Sequence, residues 1–430
     1  MTIWHLIAPL SCAPLKIAKQ SVVTMEQSVR IAIEYSPKLR AARMEELAAR
    51  ASNSKEKPVA IPNVSMEVRG TVQGPRVTYP RPGGGDDTVL PERFGQAALT
   101  VDQLLYRPGA REAGERYNAQ NRAARWEYLK AENDLILEVR KAYTSALAAE
   151  AQSDVARQGA KMASAQLEQT KLLLAAGTAM DRDVKASDSD LAEAEQSVLR
   201  AENGVTAAKT NLNRILGRVA SSPLFVMSLP SSASILSAPQ PAVDLALKRR
   251  PEIRMLEEQL RAARAGATLA ATQDKPALSA QGMASTQTPS AFVRSEYFAA
   301  SLVLKWNPFD TNKTRADAAE ARYRVLQLEA LLEDAKLGIK QEVEKARNDL
   351  EEAEARINVS ERQVTAAESA AEVSRLRFQV RQALQLEVSG AQFNVTKARS
   401  NRVQAQFDLH LASADLAHAS GTDVREVPAK

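Results

Sequence analysis

The chain has 430 residues, a net charge of +5, 25% charged, 44% apolar and only 4% aromatic residues. That length allows two or three ordinary domains, but apolar content carried by Ala, Leu and Val argues against a ring-rich core and for long helices packed through narrow seams. The interspersed charges exclude a nucleic-acid arm, the single cysteine excludes a disulfide framework, and no apolar run of about 18 residues exists, so any membrane passage must be a β-barrel.

Residues 1–21 read as an export leader. Residues 4–15 (WHLIAPLSCAPL) are a short apolar stretch followed by Lys16 and Lys19. Cys12 after Leu10-Ser11 is a candidate for lipidation, although Pro9 stands where such signals usually place leucine. A helix is expected over 24–57, with Pro37 interrupting its first turns. Then Val64, Met66 and Val68 alternate with Ser65, Glu67 and Arg69, the pattern of a strand with one dry and one wet face. A loop rich in Gly and Pro fills 71–92, and a second alternating strand covers 97–102. A rod of about 100 Å follows over 110–176, then a tight turn at Gly177-Thr178 and a return helix over 181–216. Residues 219–241, rich in Ser and Pro, read as an irregular crossing segment.

The order then repeats: a helix over 242–274 with Pro251 near its start, strand-like runs at 278–281 and 301–306, a rod over 312–381, a return helix over 384–419 and a tail at 423–430. Sequence echoes support two copies. YSPKL at 35–39 answers RRPEI at 249–253, Pro251 lying 214 positions after Pro37, and at that offset AARA at 48–51 falls on the identical AARA at 262–265. Past the loop the offset becomes 203, where Leu99, Val101 and Tyr106 meet Leu302, Leu304 and Phe309, and then 204, where Val184 meets Val388 and Gly217 meets Gly421. Repeat boundaries of 22–218 and 242–422 follow, with the lost residues in one loop.

In the second rod Val325, Leu328, Leu332, Ala335, Ile339, Val343, Ala346, Leu350, Ala353 and Ile357 recur at gaps of three and four, a heptad seam with one stutter. The first rod shows the same spacing through Leu129, Ile136, Val139, Tyr143 and Ala146. Phe94, Tyr106, Tyr297, Phe298, Trp306 and Phe309 lie near strand ends, as rings do at bilayer interfaces. The histidines, His5, His410 and His418, are too scattered for a metal or catalytic cluster, and the latter two read as exposed helix residues. Gly83-Gly84-Gly85-Asp86-Asp87 lacks the lysine and following helix of a phosphate loop.

With AIEYSPKLRAA (32–42), ALKRRPEIR (246–254), VDQLLYRPGAR (101–111), LKWNPFD (304–310) and AAGTAMDRDV (175–184) in order, the chain resembles the TolC-like outer-membrane efflux family over residues 22–422. The resemblance implies a mainly α protein with a small β part: a homotrimer in outer-membrane lipid whose protomers give four strands each to a shared twelve-stranded β-barrel, with a long coiled-coil helical barrel in the periplasm. It implies passive conduction with a periplasmic adaptor (membrane fusion protein) and an inner-membrane pump, and no enzyme activity, cofactor, metal or nucleic acid. The rod turns would form the periplasmic mouth, making Gly177, Asp181, Asp183, Arg381 and Glu387 candidates for gating or adaptor docking. Those charges could instead only cap the helix starts. Arg381 stands where the first copy has Gly177, so the two turns are expected to differ in geometry. On the barrel, Glu67, Arg69, Thr100, Asp102 and Lys305 should face the lumen, and Val64, Met66, Val68, Leu99, Val101, Leu302 and Leu304 the lipid. The other reading is a periplasmic coiled-coil scaffold or adaptor without a channel.

Overall fold

The computed structural model describes residues 22–54, 62–228, 242–289, 294–307 and 311–422. Residues 1–21, expected to be a leader and including His5 and Cys12, lie outside the described residues, as do Phe309, most of the crossing segment and residues 423–430.

In chain order the elements are β1 (Val22–Val23), α1 (Met25–Tyr35), α2 (Pro37–Asn53), β2 (Asn63–Val72), β3 (Val77–Pro80), β4 (Asp86–Leu90), β5 (Arg93–Tyr106), α3 (Ala110–Ala175) and α4 (Asp181–Ile215). The second copy follows as β6 (Phe225–Val226), α5 (Ala242–Arg249), α6 (Pro251–Ala270), β7 (Ala277–Gln287), β8 (Glu296–Lys305), α7 (Thr311–Gln379) and α8 (Gln385–Ala419). The rods and return helices agree with the sequence reading to within two residues at each end.

Three local expectations change. Pro37 and Pro251 do interrupt the expected helices, and more sharply than expected: each splits its helix in two and is the first residue of the second. Proline's missing N–H costs nothing at that position, while its ring forces the residue before it out of the helical region. Ser36 is accordingly extended, with ψ 124°. The Gly- and Pro-rich loop holds an antiparallel ribbon, β3 with β4, tied by Arg81 to Asp87 and by Arg76 to Thr88. The crossing segment contributes β6, which pairs in parallel with β1.

The chain divides into two compact units: one of Met1–Glu45, Glu127–Pro251 and Ala335–Lys430, the other of Glu46–Trp126 and Glu252–Asp334. In the first unit the core gathers Val23, Ala32, Leu39, Leu135, Val139, Leu212, Ile215 and Leu216 around Tyr143, whose ring is fully buried. The Tyr143 hydroxyl is 2.9 Å from the Val23 carbonyl and 2.8 Å from the Met227 carbonyl, and it accepts from Met227 N at 3.0 Å. One buried phenol thus ties β1 to the residue that follows β6, bracing a ribbon that two residues each could not hold alone. The predicted α7 seam is real within this unit: Ile339, Val343, Ala346, Leu350 and Ala353 are buried, and the stripe continues through Ser360 and Val364.

The second unit carries an antiparallel sheet in the order β2-β5-β7-β8. Its strands outrun the short runs of strict alternation: β5 holds fourteen residues. A register shift between Leu104 and Tyr106 returns Tyr106 to the face of Leu278.

Candidate channel mouth and barrel face

At the hairpin tips the two copies are built alike, contrary to the expected difference. α3 ends on Gly177 at φ 69° and α7 ends on Arg381 at φ 61°. In each turn the left-handed residue's amide bonds three residues back, and the next amide reaches five back: Thr178 N to Leu173 O and Gln382 N to Arg377 O, both at 2.8 Å. This is the same helix stop twice. An arginine adopts the conformation glycine usually supplies, and its Nη2 donates to the Gly177 carbonyl at 3.0 Å, joining the two turns.

The acidic candidates separate into two kinds. Asp183 and Glu387, 204 positions apart, cap the return helices: Met180 N donates to Asp183 Oδ2 at 2.9 Å and Leu384 N to Glu387 Oε1 at 3.4 Å. Their place is explained by the orphan amides of a helix start. Asp181 is not used in this way. It is exposed and pairs with Lys185 at 2.9 Å, which raises the lysine's pKa through that hydrogen bond.

Behind the tips lies a feature absent from the sequence reading. Gln166 and Thr170 of α3, Ser187 of α4 and Gln385 of α8 are all buried. Gln166 Nε2 donates to Gln385 Oε1 at 3.2 Å, and the Thr170 and Ser187 hydroxyls are 3.3 Å apart. Ser389 bonds Asp190 beside them. The Gln385 amide nitrogen is buried without a partner, so the layer is incompletely satisfied. Its one signal in the sequence is Thr170, a polar residue seven positions after Ala163 and fourteen after Ala156 in an alanine seam.

Cross-strand register sorts the sheet into two faces. Val64 stands opposite Val101, Met66 opposite Leu99 and Val68 opposite Ala97. On that same face Ala280 meets Leu302, Ala284 meets Phe298 and Leu278 meets Leu304. On the other face Asn63 pairs with Asp102, Ser65 with Thr100, Glu67 with Ala98 and Arg69 with Gln96. Asp102 continues to Gln281, Gln281 to Ser301, and strand alternation puts Lys305 on this side. All five residues expected to line a lumen therefore share one face, and all seven expected to meet lipid share the opposite one. Both faces lie open to solvent in the single chain: Met66 on the apolar face is 72% exposed, and the Glu67 side chain on the polar face 65%. The polar face carries Glu67 paired to Arg69, Asp102 and Lys305, two charges of each sign.

Among the described residues no helix is long and apolar enough to cross a membrane and no group of His, Cys, Asp and Glu could hold a metal ion. His410 and His418 are not exposed as expected; both are largely covered, because α8 is packed on several sides.

Two strand-and-rod repeats joined to a two-faced sheet are the build of an outer-membrane channel. The profile of the outer membrane efflux protein family matches residues 29–218 and 242–422, and the chain belongs to that family. Its fold is that of the TolC-like channels. The outer-membrane channel OprN aligns at 22% identity over 92% of this chain and 89% of its own, with a TM-score of 0.79. CusC aligns at 18% identity over 92% of each chain with a TM-score of 0.80. The outer membrane protein VceC of Vibrio cholerae aligns at 18% identity over 92% of this chain and 96% of its own, TM-score 0.77. No curated protein sequence matches the chain.

Proposed function

We propose that three copies of this chain close one twelve-stranded barrel in the outer membrane and conduct efflux substrates passively, fed by an inner-membrane pump through a periplasmic adaptor. The observation that carries this reading is the sheet. Its Val64, Met66, Leu99, Leu302 and Phe298 face is exposed in the single chain, and a soluble sheet would cover it. Four strands cannot enclose a lumen, for which about eight are needed. The edge strands β2 and β8 have no outer partner among the described residues, and they run antiparallel to each other, as closure between copies requires. A periplasmic scaffold or adaptor would have no use for the apolar face.

The hairpin tips are the mouth in this reading. Leu172, Met180, Val380, Leu384 and Leu386 stand exposed there beside Gly177 and Arg381, apolar contact area suited to the tips of an adaptor. With Asp183 and Glu387 occupied as caps, Asp181 is the better candidate for a charged ring at the opening. The decisive experiment is native mass spectrometry on detergent-extracted outer membranes. A trimer of this chain is expected; a monomer in the soluble fraction overturns the proposal. Bilayer recordings on Asp181→Ala trimers should show weakened cation preference, and unchanged selectivity would remove Asp181 from the mouth.

A further inference from the structure

The apolar face of the sheet has a marked boundary at the end nearest the rods. Trp306 follows Leu302 and Leu304 there by alternation, and the register shift in β5 returns Tyr106 to the same side. The two rings are 57% and 58% exposed. Along β8 this face shows only Phe298, Ala300, Leu302 and Leu304 between Trp306 and Glu296, ten residues away. At about 3.3 Å per residue and a tilt of about 40°, those ten residues span about 25 Å, the height of the apolar band of an outer-membrane barrel. Trp306 therefore stands at the water boundary of the leaflet nearest the rods, where its Nε1 donates to the Asp274 carbonyl at 3.0 Å.

Three cations gather at that level. Lys275 follows Asp274 in the turn after α6. Arg107 and Arg111 flank Gly109, which packs so closely on this turn that an added Cβ would stand 2.5 Å from Leu269 Cδ1 and 2.7 Å from Thr272 Oγ1. All three side chains are exposed, and none has an ion pair or side-chain hydrogen bond among the described residues; nor do the neighbouring carboxylates Glu112 and Asp274. Other arginines of the same unit are matched: Arg81 with Asp87, Arg122 with Glu258 and Arg264 with Glu329. The unmatched cluster sits where β5 ends and β7 begins. Those are the two central strands, so closure between copies through β2 and β8 leaves this junction facing lipid.

We propose that Arg107, Arg111 and Lys275 bind the phosphodiester of an anionic phospholipid in the periplasmic leaflet, whose acyl chains lie on the Leu278, Leu302 and Leu304 face beside Tyr106 and Trp306. The inference rests on the channel reading, which puts the rods in the periplasm. The guanidinium fork matches two phosphate oxygens at once, and the long apolar stems of all three side chains reach along the boundary while their charges stay in the headgroup layer. A zwitterionic headgroup would bring an ammonium into a cluster that already has surplus cation. An anionic one balances it.

Native mass spectrometry of delipidated full-length trimers, titrated with phosphatidylglycerol or with phosphatidylcholine of the same acyl chains, tests this. Wild type should bind phosphatidylglycerol the more tightly. The preference should fall about fivefold for each cation removed in the Arg107→Gln, Arg111→Gln, Lys275→Gln series. Arg93→Gln, at the far end of the same face, should leave it unchanged. Equal binding of the two lipids by wild type, which needs no variant, overturns the site. So does a preference that survives all three substitutions, or one that Arg93→Gln reduces as much. Membrane trimers without the preference overturn this inference alone, whereas a soluble monomer overturns the channel reading and this inference with it.

Discussion

The helical unit hides its apolar side chains and the sheet displays them. Tyr143, Leu135, Leu212 and Leu216 are at most 1% exposed, whereas Met66, Val68, Leu302 and Phe298 on the sheet are each above 70%. The first set is satisfied by the chain itself. The second set has no cover among the described residues and stays unsatisfied until something apolar meets it, so the two regions should respond to opposite kinds of substitution.

The largest expected effect breaks that contrast at the sheet. Leu99→Arg puts a charge on the apolar face, at about 2–4 kcal/mol per site near a bilayer midplane. With one such site in every copy, outer-membrane trimers should be lost. Thr100→Arg, one residue along on the polar face, should leave trimers in the membrane. Fractionation followed by native electrophoresis separates the two, and equal tolerance would sink the assignment of faces. Next comes the helical unit, where Gly217 ends α4 at φ 72° and an added Cβ would stand 2.5 Å from the Tyr35 carbonyl oxygen. Gly217→Ala should cost more than the ~1–2 kcal/mol of a left-handed alanine alone. Gly177→Ala, with open space around it, should cost only that conformational term. Thermal melts of the two variants measure the difference. Smaller again is Tyr143→Phe, which removes the hydroxyl shared by the Val23 and Met227 carbonyls and the Met227 amide for about 1–2 kcal/mol, read as lowered exchange protection at Met227.

The same contrast explains what could be read in advance. Rods, return helices and the α7 seam were legible because period and burial coincide: positions 339, 343, 346, 350 and 353 recur at helical spacing and all are buried. The two sheet faces were legible because each keeps one polarity through β2 and the middle of β5. The β3–β4 ribbon was not, since Val77–Pro80 and Asp86–Leu90 are short and sit among turn residues. The polar layer of Gln166, Thr170, Ser187 and Gln385 reads along the chain as gaps in an apolar stripe, and only tertiary packing shows that the gaps face one another. His418 failed for the same reason. Spacing on its own helix says nothing of Asp134, 284 positions earlier.

The smallest effect concerns the hairpin tips, where glycine and arginine hold one conformation. Arg381 bears the strain of a left-handed side chain, about 1–2 kcal/mol, and gains one exposed hydrogen bond to Gly177, worth about 0.5–1.5 kcal/mol. Those terms nearly cancel, so Arg381→Gly should leave the turn as stable or up to about 1 kcal/mol more so. Arg381→Ala keeps the strain and loses the bond, and it should be the weaker variant of the two. Amide exchange at Gln382 and Glu387 would order the three proteins. If Gly and Ala prove equally harmful, the link to Gly177 outweighs the strain, and arginine is there to join the turns of the two copies.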